Sequence, residues 1–190
     1  MSASEKRAQR PSPSFALGLG LIALAALALR VGAAFFYDAH THIGGDAVWY
    51  VGVAENVVAG NGFVEPLHLL LGQRVPTASH PPLYPLYLAV ADFVGSGSLL
   101  QLRLWSCLPG TGTVVLLGVI GRDLAGRRAG LLAAGLAAVS IDLFTQDVLL
   151  WSEGFYGFTI ALVVLSAYRY IRPTATSVDR TCRTRGCSRA

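Results

Sequence analysis

Long apolar segments separated by short polar ones divide this chain into candidate membrane spans. The first covers residues 15–36 with a single charge, Arg30, and it exceeds the roughly 20 residues that a helix needs to cross the hydrocarbon of a bilayer. Three further apolar segments cover residues 99–120, 129–150 and 155–167. The pattern predicts an all-α, polytopic membrane protein with about four transmembrane helices.

A fifth apolar segment, residues 82–95, follows paired prolines and is short for a full crossing. The orientation of the neighbouring turns decides whether this segment crosses the membrane. The basic turns at 121–128 and 168–173 belong on the cytoplasmic side, because positive charge is retained there. If residues 82–95 crossed the membrane, the turn at 121–128 would be exported. The sequence therefore predicts a short helix in the outer leaflet and one external loop over residues 37–98.

Within this loop, apolar residues recur at helical spacing after Asp46: Ala47, Val48, Val51, Ala54, Val57 and Val58. The spacing predicts a helix over residues 46–59 that lies along the membrane surface, with Gly60 available as the cap beyond its end.

The two ends of the chain differ from the centre. Residues 1–14 are polar, basic and rich in Ser and Pro, and residues 172–190 lack apolar periodicity. Both are predicted to be disordered tails, the first of them cytoplasmic. A cleaved secretory signal is a competing interpretation of the first apolar segment, although that segment is longer than the usual signal core of roughly 7 to 15 residues.

Composition agrees with a bilayer protein and weakens a nucleic-acid interpretation. Of 190 residues, 53% are hydrophobic and 14% are charged, and the mean hydropathy is +0.53. The net charge of +4 comes from the two tails, where basic residues more often fix membrane orientation than bind nucleic acid. The three cysteines support neither a disulfide framework nor a zinc site.

Two acidic residues are the main candidates for chemistry. Asp46 stands among glycines and aromatic residues at the start of the predicted surface helix, where a carboxylate often serves only as an N-cap. Glu153 lies between two long apolar segments, where an acid is costly unless it sits at the interface or lines a cavity. The predicted topology places both acids on the external face.

Other polar residues allow two interpretations each. Arg103 begins an apolar segment on the external side and would either bind an anionic group such as a phosphate or sit at the interface beside Trp105. Arg30 would either extend to the interface or neutralise a carboxylate of the following loop, and the first is favoured. The aromatic residues near the loop would form an interfacial belt or stack on a sugar: Trp49, Tyr50, Tyr84 and Tyr87.

A metal site is a further alternative. His40, His42, His80 and Asp46 could be gathered as ligands. However, His40 and His42 are spaced like neighbours on one side of a strand, and no HExxH pattern is present.

The order of five motifs resembles a known family. They are GGDAVWYVGVAENVVAGNGF, HPPLYPLYLA, an arginine ahead of an apolar helix (Arg103), GRDLAGRRAGLLAAGLAAVS, and an acid in LLWSEGF. This order is similar to the N-terminal part of membrane-embedded glycosyltransferases of the GT-C type, in particular protein O-mannosyltransferases and the bacterial aminoarabinose transferases that modify lipid A. The resemblance covers residues 15–171.

The resemblance implies a reaction and assigns roles to residues. Asp46 would be the catalytic base, and Glu153 would help to bind the donor or a divalent metal ion. The donor would be a sugar on a polyprenyl phosphate, the acceptor a lipid, glycan or protein, and the anomeric configuration would invert. Arg103, Arg74 or a divalent ion would neutralise the leaving phosphate. The other substrate-binding residues would be His80, Tyr84 and Tyr50, in a multi-pass protein of the cell membrane, the plasma membrane of a bacterium.

The sequence departs from the family pattern in two ways. Glu153 stands where relatives often have Asp, which is a mild chemical change. Family members usually have several hundred residues and about eleven or more spans, so the resemblance implies that this chain is a truncated or frameshifted piece with incomplete activity. The alternative from another class is a small, non-catalytic membrane protein whose external loop binds a partner or a metal.

Overall fold

The structure is a computed structural model that describes residues 13–95 and 97–184, with side chains described at 14–95 and 97–171. These residues form eight helices and no strand, apart from an isolated bridge between Val64 and Pro76. The all-α prediction is confirmed. Of the predicted N-terminal tail, residues 1–12 lie outside the described residues.

Three helices are long and apolar enough to cross a membrane. Helix α1 covers Pro13–His40, helix α5 covers Leu99–Ala125, and helix α8 covers Ser152–Thr184. Each is longer than its predicted apolar segment, because flanking polar residues continue the helix. Helix α8 extends into residues 172–184, where the sequence predicts no structure, and residues 185–190 lie outside the described part of the chain.

The predicted span 129–150 consists of two helices rather than one continuous helix. Helix α6 covers Arg127–Val139 and helix α7 covers Ile141–Val148, with a bend of 51° between them. Ser140 makes the break, because its extended backbone (ψ 115°) interrupts the helical hydrogen-bond ladder. With this bent pair counted as one span, the described chain has up to four candidate membrane spans.

Small residues bring α5 and α6 into close contact. Gly118 and Gly121 of α5 face Gly130 of α6, and the Gly118 carbonyl oxygen lies where a side chain on Gly130 would begin. Helix α1 packs on this pair through one buried face, whose members recur at intervals of four or seven residues: Phe15, Leu19, Ala26, Arg30 and Ala34.

Three shorter helices lie between the first two spans. They are α2 (Asp46–Val58), α3 (Pro66–Leu70) and α4 (Leu83–Val94). Helix α2 ends one residue before its predicted end, with Ala59 as C-cap and Gly60 left-handed just beyond it. Helix α4 is an apolar helix below spanning length, in agreement with the predicted non-crossing segment.

One hydrophobic cluster joins these surface helices to the spans. Helices α2 and α4 pack face to face, and two fully buried leucines from the bundle, Leu102 of α5 and Leu150 from the α7–α8 turn, complete the cluster. Leu102 and Leu150 lie more than fifty and more than one hundred positions after Asp46, so the position of α2 depends on distant parts of the chain.

Candidate functional site

Asp46 is the first residue of α2 and is open to solvent. The N-cap is Gly45, whose left-handed backbone (φ 58°) starts the helix. The alternative that Asp46 serves as the N-cap is therefore wrong. Its carboxylate is 68% exposed and lies in the first helical turn, where the positive end of the helix dipole favours a negative charge.

His80 and two aromatic rings surround this carboxylate. The His80 Nε2 lies 3.8 Å from the Asp46 Oδ1. The His80 ring packs on Trp49 at a centroid distance of 4.4 Å and meets the edge of Tyr50 at 5.2 Å. The indole of Trp49 is held in turn, since its Nε1 donates to the Glu65 Oε2 at 2.9 Å. The loop thus brings the predicted residues His80, Tyr50 and Asp46 together.

Tyr50 connects this group to Glu153. Its hydroxyl donates to the Ser152 Oγ at 2.9 Å, which ties α2 to the start of α8. Burial raises the pKa of Tyr50 above its ordinary value, the hydrogen bond between Tyr50 and Ser152 opposes that shift, and the charges of Asp46 and Glu153 raise the pKa further. Tyr50 therefore lies close enough to both Asp46 and Glu153 to be affected by their charges, and its bond to Ser152 places it beside Glu153. We call Asp46, Trp49, Tyr50, His80 and Glu153 the Asp46 rim.

Tyr84 lies beneath the rim in the core. Its side chain is 1% exposed, its ring meets that of Tyr50 edge-on at 5.2 Å, and its hydroxyl is 3.3 Å from the Ser106 Oγ. Tyr84 supports Tyr50 from below, so its contact with a substrate, predicted from the sequence, would require movement of the rim.

The two predicted phosphate-binding arginines are not part of the rim. Arg103 is 1% exposed, and its Nη1 donates to Asp38 Oδ1 at 3.3 Å, while its Nε and Nη2 have no hydrogen-bond partner among the described residues. Arg74 is exposed on the loop after α3 and donates to the Asn61 Oδ1 at 2.8 Å. Neither has a polar contact with Asp46 or Glu153 in the described structure.

An ion pair inside the bundle was not predicted. The Arg30 Nε lies 2.8 Å from the Asp147 Oδ2, and both side chains are at most 1% exposed. Gly110 of α5 and Gly154 of α8 lie against the Asp147 carboxylate, where any larger residue would collide with it. The favoured interpretation of Arg30, extension to the interface, is therefore wrong. The signal was present as two opposite charges within apolar segments, a pattern that favours pairing.

Metal ligands are not gathered on the rim. In the part of the chain that the structure describes, no group of three or more His, Cys, Asp or Glu side chains is close enough to hold an ion. Asp46, His80 and Glu153 therefore do not form a preassembled three-ligand site among the described residues.

The fold and the rim define the class of this protein: an all-α, polytopic membrane protein whose surface helices present an acidic and aromatic site. Comparison with known proteins takes the identification no further, since no family model, no characterised protein and no solved structure matches the chain. The GT-C resemblance therefore stays a prediction.

Proposed function

We propose that this protein transfers a sugar from a polyprenyl-phosphate donor to an acceptor hydroxyl at the outer face of a cell membrane, the plasma membrane of a bacterium. The observation that carries the proposal is the exposed carboxylate of Asp46 among aromatic rings, on the same rim as Glu153. An exposed carboxylate is suited to proton transfer, and flat aromatic faces are suited to the apolar faces of a sugar ring.

In the proposed reaction, the oxygen of the acceptor hydroxyl attacks the anomeric carbon of the sugar. The Asp46 carboxylate accepts the proton of that hydroxyl during the attack. The bond from that carbon to the phosphate oxygen breaks, and the phosphate leaves with the bonding electron pair. Attack opposite to the leaving group inverts the anomeric configuration. A phosphate leaves without prior protonation, so one base is sufficient, unlike the two carboxylates of glycosidases.

Neighbouring residues would orient the reactants. His80 is placed to position the Asp46 carboxylate, since its Nε2 lies 3.8 Å from Oδ1. The exposed Glu153, at the first turn of α8, would accept hydrogen bonds from sugar hydroxyls. Arg74 is the arginine open to solvent, so it is better suited than the buried Arg103 to meet the leaving phosphate.

The experiment is a transfer assay in membrane vesicles that contain the chain, with a radiolabelled polyprenyl-phosphate sugar. Asp46→Asn should lower transfer by roughly 100-fold or more, because general-base catalysis contributes about that much. Glu55→Gln is the matched control, since Glu55 is an exposed acid of the same helix α2. Equal transfer by the two variants, or none by the unaltered chain, would refute the proposal.

A second candidate function is a non-catalytic protein whose external loop binds a partner. It is favoured by exposed leucines on and beside α3: Leu67, Leu70 and Leu71 are 64%, 84% and 70% exposed. Leu70→Ser should weaken partner capture under this alternative and leave sugar transfer unchanged. Under the first proposal, Asp46→Asn should lower sugar transfer and leave partner capture unchanged.

A further inference from the structure

The end of the molecule opposite the Asp46 rim is strongly basic. Asp123, near the end of α5, is the single carboxylate at this end among the residues whose side chains are described (14–95 and 97–171), and the arginines near it come from three helices: Arg122, Arg127, Arg128 and Arg169. One Asp123 oxygen accepts from Arg122 at 2.6 and 2.9 Å, and the other accepts from Arg169 at 3.2 and 3.3 Å. The cluster therefore keeps an excess of positive charge.

An apolar cleft between α1 and α5 opens beside this cluster. Its volume is about 270 Å³, and α1 contributes Phe15, Leu19 and Gly20 to its wall while α5 contributes Val119 and Arg122. Gly20 has no atom within 4 Å of the place where a Cβ would stand. The cleft is therefore open at Gly20 and carries a guanidinium at its polar end.

Arg122 is held at that polar end from two sides. Its guanidinium carbon lies 5.1 Å from the centre of the Phe15 ring, a cation–π distance. Its Nε and Nη2 are bonded to Asp123. The side chain is 18% exposed, and Arg122 is one of the residues that line the cleft.

We propose that this cleft binds an anionic phospholipid of the leaflet at the basic end, with an acyl chain along α1 and its phosphate on Arg122. Two observations support this occupant. The wall is apolar apart from Arg122, as an acyl chain requires, and the surplus of arginines favours a head group with net negative charge over a zwitterionic one. The site is separate from the Asp46 rim and does not depend on the proposed reaction.

The test measures thermal unfolding and native mass spectra of the detergent-solubilised chain with phosphatidylglycerol or phosphatidylcholine. Phosphatidylglycerol should bind roughly tenfold more tightly, the ratio expected from one charge-assisted contact. Gly20→Leu fills the cleft and should abolish this preference. Gly135→Leu is the matched control, because Gly135 also faces open space but does not line the cleft.

A second pair of variants examines the head group. Arg122→Gln should reduce phosphatidylglycerol binding roughly tenfold. Arg128→Gln removes one charge of the same basic end, but outside the cleft and at an exposed position, so it should reduce binding much less, because salt screens exposed charges. Equal binding of phosphatidylglycerol and phosphatidylcholine would overturn the proposal. Equal losses of phosphatidylglycerol binding in Gly20→Leu and Gly135→Leu, or in Arg122→Gln and Arg128→Gln, would also overturn it. If Gly20→Leu altered only the oligomeric state, a second copy of the chain would occupy the cleft and the proposal would also be wrong.

Discussion

At the scale of single residues, Arg30 and Asp147 form an ion pair that is buried inside the bundle. Each charge alone would be costly in the bundle, and each is fully enclosed. The glycines at 110 and 154 make room for the carboxylate, so helices α5 and α8 are shaped around the pair as well. Four helices therefore meet at one ionic contact.

Asp147→Asn should be strongly destabilising, because it leaves the Arg30 guanidinium buried without a counter-charge. We expect a loss of roughly 3 to 5 kcal/mol in the free energy of unfolding, measured by denaturant titration in mixed micelles. Asp142→Asn is the control, since Asp142 is exposed on the same helix α7.

The double variant Arg30→Met with Asp147→Asn removes both charges and should recover much of the loss, because neither side chain is then a buried ion. If Asp147→Asn and Asp142→Asn had the same small effect, the ion pair would not stabilise the bundle.

Some of the residue-scale picture could be predicted from the sequence. Charge asymmetry and the parity of crossings predict Asp46 and Glu153 on one membrane face, and the bond from Tyr50 to Ser152 brings the helices that carry them together. The burial of Tyr84 and Arg103 could not, since both stand at the polar ends of apolar segments, where sequence pattern does not distinguish core from surface. Asp147 is hard to recognise from sequence, because one acid within the apolar segment 129–150 does not show whether it is buried or where its partner lies.

At the scale of elements, the turn between α7 and α8 carries an unusual conformation. Leu150 has a left-handed backbone (φ 61°), the single such non-glycine residue in the described chain. The Trp151 amide donates to the Gln146 carbonyl at 3.0 Å, which closes the last turn of α7 in the manner usually left to glycine. The Leu150 side chain is fully buried in the cluster with α2 and α4.

Glycine should replace Leu150 with less harm than alanine. Both substitutions lose the buried side chain, at a cost of roughly 2 to 5 kcal/mol, but only glycine also relieves the left-handed strain of about 1 kcal/mol. Leu150→Gly should therefore unfold at a higher denaturant concentration than Leu150→Ala. The reverse order, normal at ordinary buried positions, would contradict the left-handed turn.

The close contact between α5 and α6 gives a second prediction at this scale. A Cβ on Gly130 would stand 2.5 Å from the Gly118 carbonyl oxygen and 2.9 Å from the Arg122 nitrogen. Gly130→Ala should destabilise the protein by roughly 1 to 3 kcal/mol, because backbone atoms cannot move aside as a side chain can.

Gly135→Ala is the natural comparison, as it lies on the same helix and faces open space. It should be neutral or stabilising by up to about 1 kcal/mol, since alanine favours helix. Thermal unfolding of the two variants in one detergent measures the difference, and similar melting temperatures would exclude the close packing.

The elements themselves were largely predictable, because apolar length and helical spacing are strong signals. The surface helices and the short α4 were expected from spacing and from orientation. The break at Ser140 was not, because a serine within an apolar run has no strong breaking tendency, in contrast to proline. Helix α7 packs on α1, α5 and α8, and these tertiary contacts cannot be read from the local sequence.

At the scale of the whole molecule, the arrangement requires that Asp46 and Glu153 share one side of the membrane while the turn at Gly126 lies on the other. Single cysteines at positions 46, 153 and 128, in a chain whose native cysteines are replaced, test this with an impermeant maleimide on intact cells. Positions 46 and 153 should be labelled, and position 128 should react only after permeabilisation. Labelling of 46 and 153 from opposite sides would disprove the topology and the shared rim.

The separation of Arg30 and Asp147 along the chain has a consequence for biosynthesis. The two residues are 117 positions apart, and ribosomes add about 5 to 20 residues per second, so the arginine is made roughly 6 to 23 s before the aspartate. During that interval the first helix carries an unpaired cation into the insertion machinery. Delayed release of this helix into lipid, until α7 has been translated, is the order of insertion that avoids that cost.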